Sequence, residues 1–235
     1  MSSDAVDSSR LRATLPTWRS VLAVVAHPDD ESFALGAVIE SFIAQGAAVS
    51  VLCLTEGETS TLGAGINLAR LRRVELANAS RELGVADTAL LHHPDGALRT
   101  VCRHILAGEV IDEVGAVHAD GLLVFDDTGV TGHPDHTTAT AAALLAADVL
   151  DLPVLAWVLP ADVAERLNEE VTGTTFLGRG PEEIDLCIAV DRRHQIDAIR
   201  AHHTQAVPTS PLWRRLELLG DTEHLRWLRR RADGA

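Results

Sequence analysis

The chain has 235 residues, 46% hydrophobic and 23% charged, which is enough to bury a sizeable core in one domain. Its formal net charge of −14 argues against a nucleic-acid partner or an anionic membrane surface, since both need basic patches. All the basic chains other than histidine are arginine, so Schiff-base chemistry and a phosphate-loop lysine are excluded, and with no tyrosine no phenol can act as acid or oxyanion donor.

Cys53, Cys102 and Cys187 are odd in number and form no Cys-x-x-Cys pair, which predicts buried, inert thiols in a reducing compartment. Met1 to Pro16 is polar and lacks the apolar centre of a signal peptide. No apolar run is long enough to span a bilayer, and a cytoplasmic location is expected. The basic clusters are Arg70-Leu71-Arg72-Arg73 and Arg229-Arg230-Arg231, the second read as a solvated tail.

Residues 1–18 read as a flexible arm. The apolar, β-branched run over 20–26 predicts a buried strand that enters Ala26-His27-Pro28-Asp29-Asp30-Glu31. A helix over about 33–45 ends at Gly46, and a strand over 48–54 runs into Thr55-Glu56-Gly57-Glu58. The glycine-rich stretch Ser60 to Gly65 precedes a long helix over about 66–83, stopped by Gly84. A short strand at 89–91 leads to His92-His93-Pro94-Asp95-Gly96, and a helix covers about 99–114. The strand at 121–125 opens into a turn-rich loop and His133-Pro134-Asp135-His136, with an alanine-rich helix over about 137–148. A strand over 152–159, a short helix over 161–168 and a Gly/Thr-rich hairpin tip or lid over 172–181 follow. The chain closes with a strand over 185–190 and helices over about 192–203 and 211–230, the latter with a tail to 235. This alternation predicts one α/β domain over 1–235, a Rossmann-like three-layer sandwich with a mostly parallel sheet and its chemistry at the carboxyl ends of the strands.

The two His-Pro-Asp segments both follow strands, and their unpaired acids and imidazoles would be costly to desolvate without a cation. Two imidazoles and a carboxylate form a common ligand set for catalytic zinc. His27 and Asp30, three apart across a turn, and His136 from the second loop are the expected metal ligands. A divalent ion there acidifies water and polarises a carbonyl. Asp29, beside the ligands, is the expected general base, and His133, one turn from His136, is expected to stabilise an oxyanion or protonate a leaving amine.

Ala-His-Pro-Asp-Asp-Glu at 26–31 with Gly-His-Pro-Asp-His at 132–136 resembles the LmbE-like, or PIG-L, family of metal-dependent N-deacetylases. That family acts on N-acetylglucosaminyl-inositol in mycothiol synthesis and on bacillithiol and glycosylphosphatidylinositol precursors. Thr55-Glu56-Gly57-Glu58, Arg72-Arg73-Val74-Glu75-Leu76, Pro94-Asp95-Gly96 and Ala201-His202-His203-Thr204-Gln205 are similar to weaker family motifs. The resemblance implies the same zinc ligands, base and electrophilic partner. It adds Arg72, Asp95 and Glu58 as substrate contacts; their ordinary readings are a salt-bridge arginine, a turn aspartate and a solvated loop acid. One place departs from the family: some of its sugar deacetylases carry a tyrosine two residues before the second motif's histidine, and here it is Thr131. Either His133 alone stabilises the tetrahedral intermediate, or the substrate differs.

The expected reaction is zinc-dependent removal of an acetyl or other acyl group from the nitrogen of an amino-sugar conjugate, with Fe2+ or another divalent metal as an alternative ion. The same site suits a non-haem iron(II) oxygenase, although those enzymes usually carry His-x-Asp on a β-barrel. A metal-containing sugar-binding module without turnover is a third reading. The aglycone, acyl length and oligomeric state are not encoded in any motif.

Overall fold

In a computed structural model the described residues are 14–63 and 67–231. The first apolar run is β1 (Ser20–Val25), buried on both faces as a central parallel strand must be. The helix expected over 33–45 is two: a single turn, α1 (Asp30–Phe33), and α2 (Gly36–Ala44). The break is supported from outside, because Gln195 Nε2 donates to the Ser32 carbonyl at 3.0 Å. Gly36 permits that approach, since a Cβ there would lie 2.8 Å from Gln195 Cγ.

Next come β2 (Ala48–Thr55), α3 (Leu68–Leu83), β3 (Asp87–His93), α4 (Arg103–Val117) and β4 (Gly121–Phe125). The loop after β4 holds the short α5 (Gly129–Gly132), and α6 (Pro134–Leu150) begins on the second motif. Then follow β5 (Val154–Pro160), α7 (Ala161–Glu170), β6 (Gly178–Arg179), β7 (Leu186–Ala189), α8 (Arg193–Ala201), α9 (Pro211–Leu219) and β8 (Thr222–Arg229).

The sheet runs β3-β2-β1-β4-β5-β8-β7, with β6 paired to the end of β5. The first five strands are parallel, and β8 is antiparallel to both neighbours. Alternate strand residues feed two cores. Val21, Ala23, Val25, Val51, Leu123 and Leu155 meet α2 and α3 through Phe42, Ile39 and Leu76. Leu22, Val24, Leu52, Leu122 and Val124 meet α4 and α6 through Leu106, Val110 and the alanines 139, 142, 143 and 146. This is the expected three-layer α/β arrangement.

Several expectations need correction. The helix over 211–230 stops at Leu219, where Gly220 takes φ 55°, and Thr222–Arg229 is β8. Arg229–Arg231 is not a free tail: Arg229 pairs with Asp148 at 3.0 Å and Asp151 at 2.7 Å, and Arg230 with Asp185 at 2.6 Å. Of the arm, residues 1–13 lie outside the described residues; Leu15 is buried and Trp18 stacks on Phe42 at 5.6 Å. Cys53 is buried and burial raises its thiol pKa, but Cys102 is exposed. The 172–181 excursion is pinned by buried Phe176, by Leu177 N–H to the Val130 carbonyl at 2.7 Å, and by β6.

Candidate active site

Strand order reverses its sense around β1, with β2 on one side and β4 on the other, which opens a crevice at their carboxyl ends. The loops after β1 and β4 carry the two motifs, so topology brings together residues about a hundred positions apart. After β1 the chain turns sharply: Asp29 has φ 133°, a conformation few non-glycine residues adopt. Glu31 Oε2 accepts the Asp29 N–H at 2.9 Å, and its Oε1 meets His202 Nε2 at 2.7 Å, with both side chains fully buried. Glu31 and His202 thus brace the turn that aims Asp29 into the cavity.

On the second loop, His133 caps α6: its Nδ1 accepts the Asp135 N–H at 3.2 Å, and Pro134 occupies the first turn. Val130 is held at φ 63°, unusual for a β-branched residue, and presents the loop to the cavity.

His27 Nδ1 and His136 Nε2 lie 3.2 Å apart, His136 Nε2 is 3.2 Å from Asp30 Oδ1, and His27 Nδ1 is 3.6 Å from Asp30 Oδ2. The opposite ring nitrogens are already spoken for. His27 Nε2 faces Asp95 Oδ1 at 3.1 Å and Asp135 Oδ2 at 3.4 Å, and His136 Nδ1 donates to the Gly129 carbonyl at 3.2 Å. With protons on the outer nitrogens, two lone pairs face each other beside the Asp30 carboxylate, an arrangement a cation relieves. Ligands about 2.0–2.1 Å from a tetrahedral zinc sit roughly 3.3 Å apart, so these three residues could hold such an ion. One ligand-capable atom from each residue lies within 4.8 Å of the others in the sets His27-His133-His136 and His27-Asp95-Asp135, neither of which includes Asp30. The second set uses the outer face of His27, and Asp135 is committed to the Gly96 and Leu98 N–H groups at 2.7 and 3.1 Å, so it reads as orienting support.

Burial raises the Asp29 carboxyl pKa to about 6, against the pull of Arg72, whose Nη2 lies 3.0 Å from Asp29 Oδ2. Burial, then the neighbouring His136 and His27, lower the pKa of His133, which favours its neutral form; with Nδ1 accepting, its proton sits on Nε2. Burial opposes ionisation of Asp95, but His27 and Thr59 outweigh it and hold the carboxyl well below its ordinary value.

A cavity of about 490 Å³ joins these groups: His27, Asp29, Asp30, Arg72, Asp95, His133 and His136 all line it. Glu58 does not; it is exposed, and its Oε1 accepts the Asp95 N–H at 3.0 Å. Arg72 is nearly inaccessible and engages Asp29 and the Gly57 and Pro28 carbonyls, so its cavity role is exerted through Asp29. Thr131 and Ser60 to Leu62 also line the cavity; residues 64–66 of the glycine-rich stretch lie outside the described residues.

Sequence reasoning missed Asp135, Trp157 and Arg215. Asp135 stood inside a quoted motif but was not assigned a role. Trp157 and Arg215 carry no local signal, because β5 and α9 reach the cavity only through tertiary packing.

Among known proteins, a 1D-myo-inositol 2-acetamido-2-deoxy-alpha-D-glucopyranoside deacetylase from Kribbella flavida is 28% identical over 83% of this chain and 86% of its own. One from Catenulispora acidiphila is 32% identical over 59% of this chain, a match spanning about half (51%) of that relative's length. The structure of a deacetylase acting on the A40926 pseudoaglycone superposes with a TM-score of 0.68 at 20% identity, over 92% of this chain and 99% of that one, which speaks for the fold alone. The PIG-L family, described as GlcNAc-PI de-N-acetylase, matches residues 22–147, more than half of the sequence, and the chain belongs to this family.

Proposed function

We propose that this protein is a zinc-dependent hydrolase that removes an acetyl or other acyl group from the nitrogen of an amino-sugar conjugate. The observation that carries the reading is the closeness of His27 Nδ1, His136 Nε2 and the Asp30 carboxylate, with Asp29 beside them in one cavity. His27, Asp30 and His136 would hold the ion, which when bound acidifies water and polarises the amide carbonyl. Two imidazoles and a carboxylate also accept iron(II), so zinc is the finer part of the proposal.

The chain's own residues supply the rest. Asp29, raised towards neutrality by burial, accepts the proton of the attacking water on its carboxylate and returns it to the departing amine. Arg72 keeps that carboxylate charged and aimed. His133 donates its Nε2–H to the oxygen on which charge develops, a task for which a neutral imidazole with a fixed tautomer is suited. It does so without the tyrosine that some relatives place where Thr131 stands. Asp95, with Thr59 and Ser60, forms the polar wall that would meet sugar hydroxyls, and Glu58 holds the backbone of Asp95 rather than touching substrate.

The test is release of free amine from a panel of N-acylated glucosaminides by protein loaded with zinc or with iron(II). Turnover lost on chelation and restored by the metal is expected. No amine from any panel member with either metal would overturn the reading. Oxygen uptake in the presence of a 2-oxo acid would transfer the site to the oxygenase class.

A further inference from the structure

The cavity has two unlike walls. Thr59, Ser60, Asp95 and Gln205 make one side polar. Apolar rings, largely buried, line the cavity as well: the Phe125 ring lies 4.7 Å from that of His136, the Trp157 ring 5.7 Å from that of Phe125, and the Arg215 guanidinium 5.1 Å from the Trp157 ring centre. Phe33, Ala34 and Val130 complete this wall. Successive contacts thus link His136 through Phe125 and Trp157 to the Arg215 guanidinium.

Among the described residues no carboxylate forms a direct ion pair with that charge, although Glu223 and Asp30 favour it from farther off. Arg215 Nη2 donates to the Phe33 carbonyl, and its buried Nε has no hydrogen-bond partner among the described residues. The acid that would neutralise it, Glu223, is engaged elsewhere: Oε1 by Arg192 and Oε2 by Trp157 Nε1 at 2.6 Å. Burial lowers the guanidinium's pKa to about 10, which still leaves it charged near neutral pH. Desolvating a guanidinium beside a neutral carbonyl is unfavourable, and a carboxylate entering the cavity would offset that cost with a charge-assisted, fork-shaped contact.

We infer that the Phe125–Trp157 wall and Arg215 form an acyl subsite for chains ending in a carboxylate, such as an N-succinyl or N-glutaryl group. The inference rests on the N-deacylase reading for which bond is cut, and it concerns which acyl group is preferred. The apolar wall covers the methylenes, and Arg215 meets the terminal carboxylate. Hydrolysis is balanced as for acetyl: water adds to the amide carbonyl, the C–N bond breaks, and the amine and a dicarboxylate leave.

Binding to metal-free protein tests the subsite independently of turnover. Calorimetry should give succinamate, the anionic monoamide, at least tenfold tighter binding than uncharged succinamide. The Arg215→Gln variant should lose that difference while keeping the wild-type metal content. In the loaded enzyme, kcat/KM for an N-succinyl glucosaminide should exceed that for the N-acetyl compound by at least tenfold, and the substitution should reverse the order. Equal binding of the two probes, or a preference for succinamate that survives the substitution, would overturn the proposal. So would an equal loss for both acyl groups, which marks Arg215 as a structural cap on Phe33. If the glutamine variant does not fold, Arg215→Lys, which keeps the charge without the fork, should weaken the preference for the anion; an unchanged preference refutes the fork. Failure to hydrolyse either amide would refute the deacylase reading, while the calorimetric comparison still decides the subsite.

Discussion

The Glu31–His202 pair offers the sharpest test of how this site is held. Both side chains are fully inaccessible and 2.7 Å apart, and Glu31 also holds the N–H of Asp29 in its unusual backbone conformation. His202→Ala strands a buried carboxylate, and breaking a buried pair from one side costs about 3–5 kcal/mol. For a chain of this size each kcal/mol lowers Tm by about 2–4 °C, so a fall of roughly 6–20 °C is expected. Burial alone would lower the pKa of His202, but the Glu31, Asp29 and Glu75 carboxylates outweigh it and raise the imidazole above its ordinary 6.5. A group raised on folding contributes its full stability below the unfolded value and loses it as pH climbs through the folded one. The gap between wild type and variant in urea unfolding should therefore be widest near pH 6 and shrink by pH 9, with unchanged m-values. The pair variant Glu31→Met/His202→Leu should recover part of the stability yet not the activity, because Asp29 has lost its brace. A loss below about 1 kcal/mol at pH 6, or a gap that widens with pH, would refute the reasoning.

Further outcomes follow from the same geometry. Asp29→Asn should retain metal and lose about 10²–10⁴-fold in kcat, as for removal of a general base; turnover at the wild-type rate would remove Asp29 from that role. Asp135→Asn should lower metal affinity by about 10–100-fold in chelator competition, because the His27 Nε2–H loses a charged acceptor; unchanged affinity would confine Asp135 to its backbone contacts.

Much of this was legible because the chemistry sits immediately after strands. A β-branched run followed by His-Pro-Asp states both a strand end and a loop, and β1 and β4 lie side by side in the sheet. Sequence could name His27, Asp30 and His136 for this reason, and the structure brings His136 within 3.2 Å of each of the other two and His27 within 3.6 Å of Asp30. Arg72 was legible as a site residue but not as a partner of Asp29, since that contact crosses from α3 to the first loop. The end of the chain was misread because the leucines at 212, 216, 219, 225 and 228 imitate helical spacing. Gly220 was the missed signal, a stop after which Glu223, Leu225 and Trp227 alternate with His224, Arg226 and Leu228 in the period of a strand. Arg215 could not be found from sequence at all, because an arginine on an amphipathic helix looks solvated until its neighbours are known.

The placement of β8 has a consequence for biosynthesis. It follows β7 in sequence, yet it inserts between β5 and β7, and its Glu223 anchors the indole of Trp157, which lines the cavity. A nascent polypeptide ending at Leu219 would already contain both His-Pro-Asp loops while its sheet lacked the strand that joins β5 to β7. Completion of the cavity wall is thereby coupled to translation of a stretch that supplies none of the proposed ligands and not the proposed base.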